Sequence, residues 1–251
     1  MRQKLFKRSL EQQHTEDVKY HLFRDPHRQA SGLSDIILGG QDGLVNVLGV
    51  ILGVAAATHD PGIVLVAGLA ATFAESVSMG AVAYTSTLAD ADFYEAERNR
   101  EIRHITNIPH VEKNEIRDIY AKKGFEGELL DHIVETIIAN EDVWVAVMMS
   151  EEHNLSPIDR RQAVKSALVV GFSAVIGSII PLAPFVFLPV AHSMWVAVVV
   201  TALVLFGVGV YKARTMVGNP VKSGLEMALI GTLSALVGYA VGVLFKLPPT
   251  S

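Results

Sequence analysis

The stretch IILGGQDGLVNVLGVILGVAAAT, residues 36–58, decides the fold. A helix needs roughly 20 apolar residues to cross a hydrocarbon core about 30 Å thick, and this run supplies them. It contains one acid, Asp42, and no Lys or Arg. A second run, 63–88, follows the tight turn His59-Asp60-Pro61-Gly62 and carries Glu75, again with no basic residue. Further apolar runs at 163–183, 190–210 and 223–245 bring the total to five. The chain therefore reads as an all-α polytopic membrane protein with five transmembrane helices and a cytoplasmic three-helix insert between spans two and three. Mean hydropathy of +0.35 and a half-hydrophobic composition agree with that class.

The resulting organisation is a cytoplasmic N-terminal tail (1–34), transmembrane helices one and two (35–88), a cytoplasmic helical metal-binding domain (89–162), and transmembrane helices three to five with the C-terminus (163–251). The first 32 residues are polar and lack an apolar signal-peptide core, so the first span is expected to direct insertion. Basic residues set the orientation. The tail has seven Lys+Arg and the long polar segment nine, and the 211–222 connection has Lys212, Arg214 and Lys222. The 59–62 turn and the 184–192 link have none, which places all three basic segments in the cytoplasm.

The net charge of −5 is unevenly spread: residues 89–161 hold 17 Asp+Glu against nine Lys+Arg. An acidic surface argues against nucleic acid and suits the gathering of cations. With no cysteine in the chain, thiolate metal sites, cysteine nucleophiles and disulfides are excluded. No Walker-type phosphate loop, dinucleotide-binding glycine pattern or nucleophile elbow is present, which leaves an ion gradient rather than ATP as the energy source.

In the polar segment, the first helix continues span two with Glu97, Glu101 and His104 on one stripe, and Asn107-Ile108-Pro109 ends it. A second helix is expected over 111–122 and a third over 126–153, closed by Ser156-Pro157. So small a helical domain has little core of its own, and packing on a second copy is expected. Three small-residue pairs, Gly39/Gly43, Gly49/Gly53 and Gly238/Gly242, have the spacing that lets membrane helices approach closely, most simply within the chain.

The chemistry rests on carboxylates. An acid at mid-bilayer costs roughly 2.5–3.5 kcal/mol on insertion scales, so its default role is to bind a cation or carry a proton. Asp35 and Asp42 are seven residues apart and share a helix face, with Gly39, Gly40 and Gly43 leaving room beside them for a backbone or an ion. Asp35 reads equally well as a helix cap together with Ser34. Glu75 and Met79 are one turn apart, so a carboxylate and a thioether can converge. That donor set suits a borderline transition ion such as Fe²⁺ better than Mg²⁺ or Ca²⁺. In the polar segment, Glu101-x-x-His104 and Glu112-x-x-Glu115 each place two ligands on one face, and Met148, Met149 and Glu152 add soft and hard donors. A single Glu-x-x-His falls short of the paired motifs of di-iron bundles.

These residues, together with Leu38-Gly39-Gly40-Gln41-Asp42-Gly43-Leu44-Val45, Ser78-Met79 before Tyr84-Thr85-Ser86, and Trp144 to Leu155, resemble the vacuolar iron transporter family over about 34–246. The resemblance implies a homodimer that moves Fe²⁺, with Mn²⁺ as a further ion, out of the cytoplasm in exchange for protons. It implies an ion site at the dimer axis from Asp42 and Met79, with Asp35 nearer the cytoplasmic mouth. It also implies a capture domain holding the ion through Glu101, Glu112, Glu115, Met148, Met149 and Glu152. Two departures stand out: Val82-Ala83-Tyr84 where many members carry Gly-Glu-Tyr, with Glu75 a candidate substitute, and His104 where many carry Glu.

The expectation is thus a transporter rather than an enzyme, with no cofactor beyond the transported ion. Its partners are a divalent metal ion, protons and lipid. It is placed in the plasma membrane of a prokaryote or the vacuolar membrane of a eukaryote. The competing readings are a membrane-anchored ferroxidase and a metal sensor, both built on the acidic helices.

Overall fold

The structure is a computed structural model that describes residues 30–215 and 218–245. Most of the expected N-terminal tail, residues 1–29, lies outside the described residues. The described chain contains helices α1 (Ala30–Thr58), α2 (Pro61–Asn107), α3 (Pro109–Lys122), α4 (Gly127–Ile138), α5 (Glu141–Val147), a π-helix (Met148–Glu152), α6 (Arg161–Leu182), the short α7 (Pro184–Phe187), α8 (Val190–Thr215) and α9 (Pro220–Leu244). Five of them, α1, α2, α6, α8 and α9, are long and apolar enough to cross a membrane. The chain is an integral, multi-pass membrane protein with the expected five spans.

Two compact units emerge. Among the described residues, one comprises those before Gly80 together with those from Val169 onward, and the other is Gly80–Leu168. In the first unit α1 is the central helix, with Val47, Leu48, Ile51, Leu52 and Ala55 almost fully buried. Its glycines explain how neighbours come so close. A Cβ on Gly238 of α9 would lie 2.1 Å from the Gly49 carbonyl oxygen, and one on Gly242 would lie 2.0 Å from that of Gly53. On the other flank, a Cβ on Gly43 would lie 2.2 Å from the Ala174 carbonyl oxygen of α6. All three glycine pairs therefore serve packing within the chain, and the space beside Asp42 is filled by the α6 backbone rather than left for an ion. In lipid such contacts, with no hydrophobic driving force between helices, are what hold a bundle together. Hydroxyls add to them: Ser234 Oγ donates to the Val45 carbonyl at 2.9 Å and Ser76 Oγ to that of Gly171 at 2.9 Å.

Outward-facing side chains are apolar and large, as a lipid solvent demands; Val66, Phe73 and Val77 of α2 repeat on one stripe and Trp195 and Phe187 are the most exposed aromatics. The α1–α2 turn follows the expected chemistry. His59 adopts a left-handed conformation (φ 57°), and Asp60 Oδ1 accepts from the backbone of Gly62 and Ile63 at 2.7 and 3.1 Å, with Pro61 at the first helical position. Several boundaries differ from expectation, among them the start of α1 at Ala30 rather than 36 and of α9 at Pro220 rather than 223. The fourth span does not stop at residue 210 but runs on to Thr215, which sets Lys212 and Arg214 in its last turn, where the helix dipole favours cations. The 184–189 link contains the short α7, fastened by Ser193 Oγ to the carbonyls of Pro184, Leu188 and Pro189.

In the second unit, the first two insert helices form as read, with Ile108 and Pro109 separating α2 from α3. The third does not. The expected continuous helix over 126–153 breaks at Ala139-Asn140 into α4, α5 and the π-helix. Asn140 leaves the helical region (φ −131°, ψ 115°), and its side chain accepts from Val143 N at 3.3 Å, capping α5 ahead of Glu141 and Asp142. An apolar cluster of Ile105, Ile116, Leu130, Val134, Ile137, Trp144, Val145, Met148 and Met149 joins these pieces. Exposed pairs Lys113–Glu135, Arg117–Asp131 and Lys123–Glu151 tie α3 to α4 and to the π-helix. Such pairs fix register more than they stabilise, at up to about 1 kcal/mol each.

Candidate metal sites

The membrane-embedded group sits on α1 and α2. Asn46 Nδ2 donates to Glu75 Oε1 at 2.6 Å, and Asp42 is the neighbouring carboxyl on the same side. Asp42 and Asn46 are one turn apart on a stripe of α1 that continues to exposed Leu38 and Val50, so this polar group opens outward from the buried side of the helix. Met79 follows Glu75 by one turn and is half-buried. No Lys or Arg bonds to any of these groups among the described residues. Asp35 is half-buried and lies inside α1, which already runs from Ala30; the helix-cap reading of Ser34-Asp35 does not hold. Asn46 was not read from the sequence, although its position one turn after Asp42 on the same face was the available signal.

The second group lies in the helical insert, and here the geometry is tighter. Glu101 on α2 and Glu112 on α3 are each only 2 % exposed. His104 Nδ1 lies 3.7 Å from Glu101 Oε1 and 3.4 Å from Glu112 Oε1, and His153 Nε2 lies 3.1 Å from Glu101 Oε1. The remaining oxygens, Glu101 Oε2 and Glu112 Oε2, are buried without a hydrogen-bond partner. Three triads have ligand atoms all within 4.8 Å of one another: Glu101–His104–Glu112, Glu101–Glu152–His153 and Glu112–Glu115–Glu152. Each triad shares a carboxylate with each of the others. Glu97, expected on the same stripe, is buried but engaged by Arg100 at 3.1 Å and stands apart from the triads. Met148 and Met149 are buried in the apolar cluster together with Ile105 and Ile116, which follow Glu101 and Glu112 by one turn.

Burying carboxylate oxygens such as these two Oε2 atoms without partners is expensive, since each loses its hydration and gains no hydrogen bond in return. The cost shows in protonation. Burial, then the hydrogen bond and charge of Glu115, then the charges of Glu101 and Glu152 push Glu112 up to about 8. Burial and the charge of Glu115 likewise raise Glu152 above the usual carboxylate range, opposed in part by His153. A divalent cation reverses this logic by supplying the missing positive charge. Below pH 8 the ion-free site therefore holds a proton on Glu112, and ion binding must release it. Calorimetry of Co²⁺ binding at pH 7 in buffers of different ionisation enthalpy should show about one proton released through Glu112, in addition to any from Glu152. Glu112→Gln should remove that contribution. The same raised value means that Glu112's contribution to ion-free stability is complete below its ordinary 4.5 and is lost as pH rises through about 8.

Helices that span a membrane, carboxylates within them and a buried cluster of carboxylate and imidazole define a class: membrane proteins that handle metal ions. The chain matches the VIT family over residues 33–243 and belongs to that family. It is 34% identical to vacuolar iron transporter 1 of Tulipa gesneriana, covering 82% of this chain and 84% of the relative. It is 34% identical to the vacuolar iron transporter of Centaurea cyanus over 90% of this chain and 94% of the relative. It is 32% identical to the Plasmodium falciparum (isolate 3D7) vacuolar iron transporter over 85% and 82% of the two chains.

Proposed function

We propose that the chain carries Fe²⁺ across a membrane, out of the cytoplasm, in exchange for protons, and that it works as a homodimer. The observation that carries this reading is the Asp42–Asn46–Glu75 group, set in two membrane helices with no basic partner. Two carboxylates kept in lipid at several kcal/mol are accounted for by a passing cation or proton. Asp35 lies on the same face two turns earlier, and Met79 is one turn from Glu75 toward the cytoplasmic end of α2, so an ion leaving the cytoplasm meets Asp35, then the Met79 thioether and Asp42, and then Glu75. The relatives named as iron transporters support iron as the ion. The mixed oxygen and thioether donors suit Mn²⁺ less well.

Exposure supports the homodimer. The stripe of α1 holding Asp42 and Asn46 faces outward from the chain, and acyl chains offer those groups nothing. A second copy placed against that stripe brings a second Asp42 and Glu75 to a shared axis. The insert, with its basic residues at the ends of spans two and three, lies on the cytoplasmic side by the positive-inside rule, where it captures the ion through Glu101, Glu112, Glu115 and Glu152. The relatives' names point to a vacuolar membrane in a eukaryote, and the corresponding membrane in a prokaryote is the plasma membrane. A ferroxidase is disfavoured because the relatives that match over most of the chain are named as transporters.

The test is Fe²⁺ uptake into proteoliposomes with a lumen-acid gradient and without one. Uptake should accelerate with the gradient and alkalinise the lumen. Uptake indifferent to pH would remove proton exchange, and no uptake in either condition would remove transport.

A further inference from the structure

We propose that His153 is a direct ligand of the captured ion, and that His104 and His153, on the two sides of Glu101, make the insert prefer transition ions over Mg²⁺ and Ca²⁺. This rests on the insert being a metal-capture site. His153 is half-buried, its Nε2 is 3.1 Å from Glu101 Oε1, and it forms a triad with Glu101 and Glu152 within 4.8 Å. Ligand atoms around one four-coordinate ion with bonds of about 2.0–2.2 Å lie roughly 3.3–3.6 Å apart, so small side-chain adjustments close the triad. The unpartnered, buried Oε2 of Glu101 is a second, independent sign that the space between these groups receives a ligand.

The backbone is bent to deliver this imidazole. The π-helix ends with His153 N donating to the Met148 carbonyl at 3.3 Å and Leu155 N to that of Met149 at 2.9 Å, and Asn154 takes a left-handed conformation (φ 53°). A π-turn followed by a positive φ in a non-glycine residue is costly local geometry of the kind that collects at functional sites. Its effect here is to bring two consecutive residues, Glu152 and His153, to the same carboxylate. Consecutive residues of a regular α-helix point about 100° apart and would not both reach it. Imidazole nitrogen favours Fe, Co and Zn, whereas Mg²⁺ and Ca²⁺ demand oxygen. With His104 in one Glu101 triad and His153 in the other, both triads built on Glu101 carry a nitrogen donor.

The alternative is that His153 only holds Glu101 in place by hydrogen bonding. The test uses the full chain in detergent or nanodiscs, titrated separately with Co²⁺ and Mg²⁺. His153→Leu should weaken Co²⁺ about 10–100-fold and leave Mg²⁺ within about threefold. His153→Gln, which keeps a hydrogen bond to Glu101 without an imidazole, should weaken Co²⁺ equally. In a His104→Gln background loaded with Mn²⁺, pulsed EPR should still detect imidazole nitrogen coupling, and His153→Leu should abolish it. Wild-type Co²⁺ affinity in His153→Gln, or no imidazole coupling in the His104→Gln protein, overturns the proposal. Wild-type affinity in His153→Leu alongside lost binding in Glu101→Gln sinks the His153 assignment but leaves the capture site standing. Wild-type affinity in Glu101→Gln as well refutes the capture site itself.

Discussion

Asp42→Ala should reduce Fe²⁺ flux in proteoliposomes to the level of protein-free vesicles while leaving the protein folded. The argument is electrostatic. A unit charge about 4 Å from another contributes ~4 kcal/mol at an effective dielectric of 20, and every 1.4 kcal/mol is tenfold, so losing one carboxylate weakens an ion site about a thousandfold. For a divalent ion in the membrane the nearby counter-charges are Asp42 and Glu75, the companion Asn46 being neutral, so losing Asp42 removes about half of them. Folding should survive, since Asp42 is half-buried and the close helix contacts of α1 run through Gly43, Gly49 and Gly53. A useful companion is Glu75→Gln. Its amide oxygen still accepts from Asn46, so the α1–α2 bond is kept and only the charge is removed. If Glu75 carries the returning proton, this variant should lose the response to a pH gradient. Wild-type flux in Asp42→Ala would take that residue out of the mechanism, and an Asp42→Ala protein that no longer folds would shift the test to Asp42→Asn, which keeps the shape.

Much of this was legible before any coordinates. Five apolar runs separate cleanly from polar ones, so the spans needed only length and composition, and the errors were confined to ends such as Thr215. The glycine pairs are legible as packing signals, but not which helices they join; that depends on partners far away in the sequence, Gly238 for Gly49 and Ala174 for Gly43. The break at Asn140 is hard to read because apolar pairs at helical spacing, 133 and 137 and then 143 and 147, flank it on both sides, and only the six-residue step between 137 and 143 falls out of helical phase. The signal that should have outweighed the rhythm was a capping Asn followed directly by Glu141 and Asp142. His153 was passed over for a related reason. It follows Glu152 directly, and consecutive helical residues point to different sides, so the sequence alone does not show that both reach Glu101. Asn46 was hidden in plain view: an amide in an apolar run draws less notice than a carboxylate, although in lipid it too requires a partner.

Glu101→Gln should produce two effects of opposite sign, and their combination is more telling than either. Divalent-ion affinity at the insert should fall at least about a hundredfold, because Glu101 belongs to two of the three triads and its charge serves both. Ion-free stability should rise by about 1 kcal/mol, within the usual range for relieving a strained functional group. The rise has a definite origin. The charge of Glu101 is among those that raise Glu112 and Glu152, so neutralising it lowers the cost of ionising both. Glutamine can still accept from His153 through its amide oxygen, so the geometry around the π-helix should persist. A residue kept for structure behaves otherwise: its removal costs stability, and ion affinity follows only as far as folding does. Thermal unfolding of the full chain without metal, together with calorimetric titration by Co²⁺, reads both quantities on one preparation. A lower melting temperature without metal, or an unchanged affinity, would mean that Glu101 holds the insert together rather than holding an ion. The opposed pair of shifts, by contrast, is what a carboxylate buried at the expense of the fold for the sake of a cation must give.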